Sequence, residues 1–302
     1  RWGFCLTHRA RDALRPGRYR ALIDATLEPG SLSYGDLVLP GDSTDEVLIS
    51  SYVCHPSMAN NELSGPVVLT ALARSLAARP KRHFTYRFVL APETLGAIVY
   101  LSRHLPRLRE RVRAGWVLTC IGDERTSSYL GTKRGDTLTD RVSRHVLREL
   151  APSHVEYDFL ARGSDERQYG SVGVDLPVGS LMRSKYGTYP EYHTSLDDLS
   201  FVTPAGLAGG YALIAGCVDV LEKNRTYRAR VLCEPQLGRR GLYATLSTRG
   251  SAGSARSLRN LLTFADGETD LLAIAERIRR PFAECESLVT PLRSAELLDL
   301  VE

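Results

Sequence analysis

Three apolar runs, each stopped by a polar turn that carries a metal-ligating residue type, constrain this chain most. The first, Glu46-Val47-Leu48-Ile49-Ser50-Ser51-Tyr52-Val53, runs into Cys54-His55-Pro56. The second spans Phe84 to Ala91 and meets Pro92-Glu93-Thr94; the third spans Trp116 to Ile121 and ends at Gly122-Asp123-Glu124. Runs that stay apolar on successive residues suit central strands covered on both faces, which means parallel pairing. Helical spacing separates them. Pro66 to Ala78 repeats Val67, Ala71, Leu72 and Leu76, and Thr94 to Leu105 and Leu138 to Leu150 also read as helices. Leu176 to Leu181 reads as a short strand, and Pro204 to Leu221 as a long apolar helix with Pro204 in its first turn. The alternation predicts an α/β fold: a mostly parallel sheet flanked by helices. Upstream, Arg18 to Cys54 reads as strands, beginning with Tyr19 to Ile23.

Ligands of open α/β sheets gather outside the carboxyl ends of the strands. His55, Glu93 and Asp123 all fall there. A single His at a strand end serves structure as readily as chemistry, and a Glu in a first helical turn complements the helix dipole. Three successive strand ends supplying His, Glu and Asp form the pattern of a metal site. Two further polar segments stand out: Gly163-Ser164-Asp165-Glu166-Arg167-Gln168-Tyr169, and Tyr189-Pro190-Glu191-Tyr192-His193-Thr194 ahead of the long helix.

The 302 residues suffice for one large domain and a small one, and 25% charged residues with a formal charge of +4 suit an ordinary globular chain. The six cysteines form no CxxC pair, and several lie in apolar runs, so buried free thiols and a cytoplasmic location are expected. No apolar run reaches the roughly 18 residues that span a membrane. After Cys233 the composition turns glycine- and serine-rich. The expected organisation is a catalytic domain over 1–233, a connector over 234–254 and a winged-helix-like module over 255–302, with helices at Ala255 to Phe264, Asp270 to Ile278 and Phe282 to Leu292. Glu284 and Glu286 on the last helix oppose nucleic-acid binding, so the module is expected to make a protein contact or a homo-oligomer.

The pattern His55, Asn61, Glu93, Asp123, Ser164-Asp165, Tyr192-His193-Thr194, Asp197 resembles the zinc-dependent aminopeptidase family, whose relatives include glutaminyl cyclases. It is similar above all to bacterial aminopeptidase-like domain proteins. Those carry strings like the ones at His55 to Gly65, Ser164 to Tyr169, Leu176 to Arg183, Pro190 to Ser195 and Cys233 to Tyr243. Their C-terminal winged helix matches Ala255 to Glu302, and about the first 30 residues would be the tail of an upstream or inserted small domain.

The resemblance implies a site holding one or two zinc ions. His55 and Asp123 would serve one metal, Glu93 and His193 the other, with Asn61 at the bridging position. Glu93, Asp165 and Glu166 are the candidate catalytic carboxylates. Arg167, Arg183, Tyr186, Tyr189 and Tyr192 would shape a pocket for a small-molecule or peptide-like substrate. Two departures narrow this. Asn61 brings no charge to hold two cations about 3.5–4 Å apart, and Pro92 stands where the family pairs two Glu residues. The expected activity is metal-dependent hydrolysis of an amide or peptide bond in a small biosynthetic intermediate. The alternatives are a degenerate binding or scaffolding fold, and single-zinc acyl transfer or cyclisation.

Overall fold

The computed structural model describes residues 3–242 and 249–301, with the side chains of 249–254 left aside. Residues up to Leu32 form one compact unit and Ser33 onward another. The first unit holds a short helix, α1 (His8–Asp12), capped by the Thr7 hydroxyl. The expected strand at Tyr19 to Ile23 is absent: the segment makes no ladder, and Leu22 and Ile23 are exposed. A strand requires a partner for its backbone N–H and C=O groups, and apolar composition alone does not supply one.

The second unit opens with β1 (Gly35–Leu39) and β2 (Glu46–Tyr52). It continues through α2 (Ser64–Ala78), β3 (Thr85–Ala91), α3 (Leu95–Arg111), β4 (Val112–Leu118), β5 (Ser128–Leu130) and α4 (Leu138–Leu150). Next come β6 (Val155–Tyr157), α5 (Glu166–Tyr169), β7 (Val178–Met182) and α6 (Pro204–Lys223). These strands make a seven-stranded mixed sheet in the order β1-β3-β2-β4-β7-β5-β6. Its centre, β3-β2-β4-β7, is parallel, while β1 runs against β3 and the parallel pair β5-β6 joins the sheet with β5 antiparallel to β7. All seven residues of β2 are buried, as the unbroken apolar run requires.

Side chains at the element ends explain several boundaries. Asp140 closes a capping box with Thr137 at the start of α4. Thr203 caps α6 by accepting from the Gly206 N–H, and Pro204 occupies its first turn. By length and composition α6 is apolar enough to cross a membrane. Here Leu213, Ile214, Cys217, Val218 and Leu221 lie in the core, and α6 packs on α2 and α4.

The C-terminal region comprises β8 (Thr226–Ala229), α7 (Arg249–Phe264), β9 (Asp266–Asp270), α8 (Leu271–Ile278), α9 (Phe282–Ser294) and β10 (Leu298–Leu300). Its sheet has the order β10-β8-β9. Thus the segment just before Cys233, grouped by sequence with the larger domain, pairs its backbone with the smaller sheet. Of the glycine- and serine-rich connector, residues 243–248 lie outside the described residues, and α7 already begins at Arg249. The winged helix rests on α4. Arg141 grips Asp270 at 2.8 and 3.0 Å, and the Phe282 N–H donates to His145 Nε2 at 2.9 Å. The amino end of α9, which a DNA reader of this shape turns toward base edges, is therefore seated on another helix.

Candidate metal centre

Parallel strands end at one edge, so β2, β3 and β4 deliver His55, Glu93 and Cys120 to the same side of the sheet. Three of the backbones there are unusual. Thr94, Cys120 and His193 all have positive φ, at 62°, 46° and 55°. For a β-branched residue such as Thr94 this is a costly conformation. With ψ at −66° and Leu95 N–H donating to the Glu93 carbonyl at 2.6 Å, residues 93–95 form the rare, strained hand of the γ-turn. The strain is held from outside. Asp165 Oδ1 accepts from Thr94 N–H at 2.7 Å, and Arg167 Nη2 donates to Thr94 Oγ1 at 2.6 Å. Glu93 itself accepts from Ser164 Oγ at 2.7 Å.

The segment after β2 forms a π-helical turn over Ala59–Leu63. Its amino end is clamped by the buried Asp197 carboxylate, which accepts from Asn60 and Asn61 N–H at 2.6 and 3.0 Å. The turn presents Glu62, a residue the sequence reading passed over. Glu62 is 3% exposed and accepts from Cys54 N–H and from Asn61 Nδ2, both at 2.7 Å. Potential ligand atoms of Cys54, His55 and Glu62 all lie within 4.8 Å of one another. The His193 ring comes within 4.7 Å of the His55 ring, centroid to centroid, and the Tyr192 ring stacks on His193 at 3.9 Å. The signal for Glu62 was present in the polar run between His55 and Gly65, but only the turn reveals which of its side chains faces back to the strand end.

Charge in this cluster is perturbed. Burial raises the Glu62 carboxyl above its ordinary range, and burial followed by the nearby Glu62 and Glu93 charges raises the Cys54 thiol. Burial, then the neighbouring His55, lowers the His193 imidazole. Burial, reinforced by Glu93 and Glu166, pushes Asp165 up to about 7 against the Thr94 hydrogen bond. Asp165 Oδ2 is buried with no hydrogen-bond partner among the described residues.

Other expected site residues are engaged elsewhere. Asp123 is fully buried, and its oxygens accept from Asn60 Nδ2, Arg125 N, Ser184 N and Ser184 Oγ at 2.7–3.2 Å. This corrects its reading as a ligand: it stitches the loop after β4 to the loop after β7. Glu166 is likewise fully buried, accepting from Gly163 N, Ser164 N, Tyr186 Oη and Ser180 Oγ, so it is a scaffold and not a base. Arg183 donates to the Asp123 carbonyl and to Ser127 Oγ at 2.8 Å each. Tyr189 is buried beside Cys120, leaving Tyr192 as the expected tyrosine in contact with the cluster. Asn61 donates to Glu62 and accepts weakly from the Cys120 thiol at 3.8 Å. Cys54, expected to be buried, is exposed.

A family described as a domain of unknown function, DUF4910, matches residues 16–224, and a winged helix-turn-helix family matches residues 225–300. A Clostridium acetobutylicum protein, provisionally named a polysaccharide biosynthesis protein with aminopeptidase-like domain, is 40% identical over 306 residues. The match covers 99% of this chain and 69% of that protein. A crystal structure from Clostridium acetobutylicum, provisionally described as a peptidase, superposes with a TM-score of 0.90 at 39% identity, over 99% of this chain and 68% of that one. BSAP, a zinc aminopeptidase from Bacillus subtilis, superposes with a TM-score of 0.50 at 18% identity, over 61% of this chain and 48% of that one, a likeness of fold. Fold and comparisons together define an aminopeptidase-like protein. The chain belongs to the DUF4910 family, here followed by a winged helix-turn-helix region.

Proposed function

We propose that this chain is a zinc-dependent hydrolase of an amide or peptide bond in a small, peptide-like molecule. The observation that carries the reading is the cluster of Cys54, His55 and Glu62 at the carboxyl edge of the parallel strands, their potential ligand atoms within 4.8 Å of one another, with the His193 ring beside His55. The donor chemistry fits one zinc: an imidazole, a carboxylate and a thiol, with the His193 imidazole next to His55. It does not fit a carboxylate-bridged pair, because residue 61 is an amide that already donates to Glu62. A zinc ion bound there would polarise the scissile carbonyl and acidify a water.

The protein's own groups divide the remaining work. Glu62 is oriented by the Cys54 N–H and the Asn61 amide, the outer hydrogen bonds that fix a ligand's direction. Tyr192 holds the plane of His193 by stacking. Glu93, aimed by the Thr94 turn and steadied by Ser164, accepts a proton from the attacking water. Asp165, buried beside Glu93, holds a proton near neutrality that it can return to the leaving amine.

Metal content by mass spectrometry, before and after zinc loading, and hydrolysis of a panel of aminoacyl anilides test the reading together. One zinc per chain with hydrolysis is expected, and Glu62→Gln and His193→Ala should each weaken zinc binding at least about tenfold. No retained zinc and no hydrolysis after loading would overturn it. Asn61 supports a second reading, a binding fold without catalysis. Zinc binding with no turnover in Asn61→Asp, once it takes up a second metal, would favour that reading.

A further inference from the structure

A second concave site lies away from the metal centre, between the turn after β5 and the loop linking β6 to α5. Its volume is about 710 Å³, within the roughly 300–1,000 Å³ of small-molecule sites. Five cationic side chains line it, Lys133, Arg134, Arg144, Arg162 and Arg167, against only Glu156 and Asp158. Like charges gathered around a concavity repel one another and focus a positive potential inside it. Some are partly balanced: Arg144 pairs with Glu156, Lys133 with Asp175 and Arg134 with Asp136. Among the described residues Arg162 and Arg167 make no ion pair. Arg162 lies 5.0 Å over the Phe159 ring and donates to its carbonyl, so its fork is held at the wall.

The walls are built as well as charged. Gly131 N–H donates to the Tyr157 carbonyl at 2.9 Å, and Thr132 is tied through its N–H and hydroxyl to the buried Asp140 at 2.9 and 2.5 Å. This fixes the Gly131–Gly135 turn that carries Lys133 and Arg134. Tyr157, Phe159 and Leu160 add apolar surface.

We propose that this cavity binds an organic diphosphate, a metabolite of nucleoside-diphosphate size. Five cationic side chains face two acidic ones in the lining, and Arg162 and Arg167, without ion pairs among the described residues, are the ones left to meet the negative charge of such an ester, whose phosphate oxygens suit guanidinium forks. The apolar walls receive the organic part. Arg167 reaches from this cavity to Thr94 Oγ1, so the bound diphosphate and the Glu93 turn share one side chain. The assignment is independent of the hydrolytic reading.

Isothermal titration of the full chain with inorganic pyrophosphate and with ADP tests it. Sub-millimolar binding of both is expected, with ADP several-fold tighter. The double variant Arg134→Ala/Arg162→Ala should lose at least tenfold in affinity for each, while His193→Ala and Arg74→Ala, on α2 and outside the cavity lining, keep wild-type affinity. Absence of binding at 5 mM, equal affinity in the double variant, or loss confined to His193→Ala would overturn the proposal. ADP binding no tighter than pyrophosphate would reject the organic-diphosphate assignment.

Discussion

At the scale of single residues, the site is governed by backbone geometry that costs energy. Thr94 sits at φ 62° because Asp165 and Arg167 hold it there and because the turn aims Glu93. Such a residue stores about 1–3 kcal/mol of strain, and glycine would remove it at an entropic cost of about 0.5–1 kcal/mol. Thr94→Gly should therefore raise stability by ~1 kcal/mol, read as a higher urea midpoint, while lowering kcat for any amide substrate with little change in KM. A fall in stability would mean that the turn is not strained. Glu62 and Asn61 make the same point chemically. Neighbours in sequence, they exchange a hydrogen bond, so an Asn at 61 orients a carboxylate where an Asp would repel it.

At the scale of elements, buried polar groups tie strands, turns and helices into fixed positions. Asp140 accepts from Thr132, Thr137 and Tyr129 while fully buried. Burial alone would raise its pKa, but these donors outweigh burial and hold it below the ordinary value. A depressed folded-state pKa contributes stability that is present above the unfolded value of about 3.9 and disappears as pH falls through the folded value. Asp140→Asn should cost about 1–3 kcal/mol at pH 7 and flatten the loss of stability below about pH 4, measured by urea unfolding across pH. Helix α6 depends on a different device, close approach. A Cβ on Gly206 would lie 2.0 Å from the Gly122 carbonyl oxygen, on the loop that joins β4 to Asp123. Gly206→Ala should cost about 1–3 kcal/mol, seen in the thermal midpoint, and a wild-type midpoint would show that the loop yields freely.

At the scale of the whole second unit, one core joins the two families of residues. Leu258, Leu261, Leu272, Phe282 and Leu292 belong to the same buried cluster as Val47, Trp116 and Leu213. With β8 following α6 directly and Arg141 clamped to Asp270, the winged helix is a packed part of the body. Calorimetry should accordingly show one cooperative transition for residues 33–302. Two separable transitions, with the winged helix melting first, would contradict this. The seating of the α9 amino end on His145 also leads to a clear expectation for nucleic acid: no salt-dependent affinity for duplex DNA in the micromolar range.

Local pattern was enough to mark the central strands and the helices between them, because burial on both faces and helical spacing are visible among neighbouring residues. It also singled out His55, Glu93 and His193, since a polar residue stopping a buried strand is visible without coordinates. It could not rank the carboxylates. Asp123, Glu62 and Glu166 are equal on paper, and only tertiary contacts decide which face a shared cluster and which satisfy buried N–H groups. Asp123 and Glu166 became scaffold because loops from distant parts of the chain place their donors around them. Glu62 joined the candidate ligand cluster because a π-helical turn, clamped by Asp197 some 135 residues away, rotates it toward Cys54 and His55. Strand membership of β8 was decided in the same way, by a ladder with β9 and β10 formed across about 40 and 70 residues of chain. Local pattern is a property of neighbours in sequence, whereas the partner that satisfies a hydrogen bond or a charge is fixed only when the chain closes on itself.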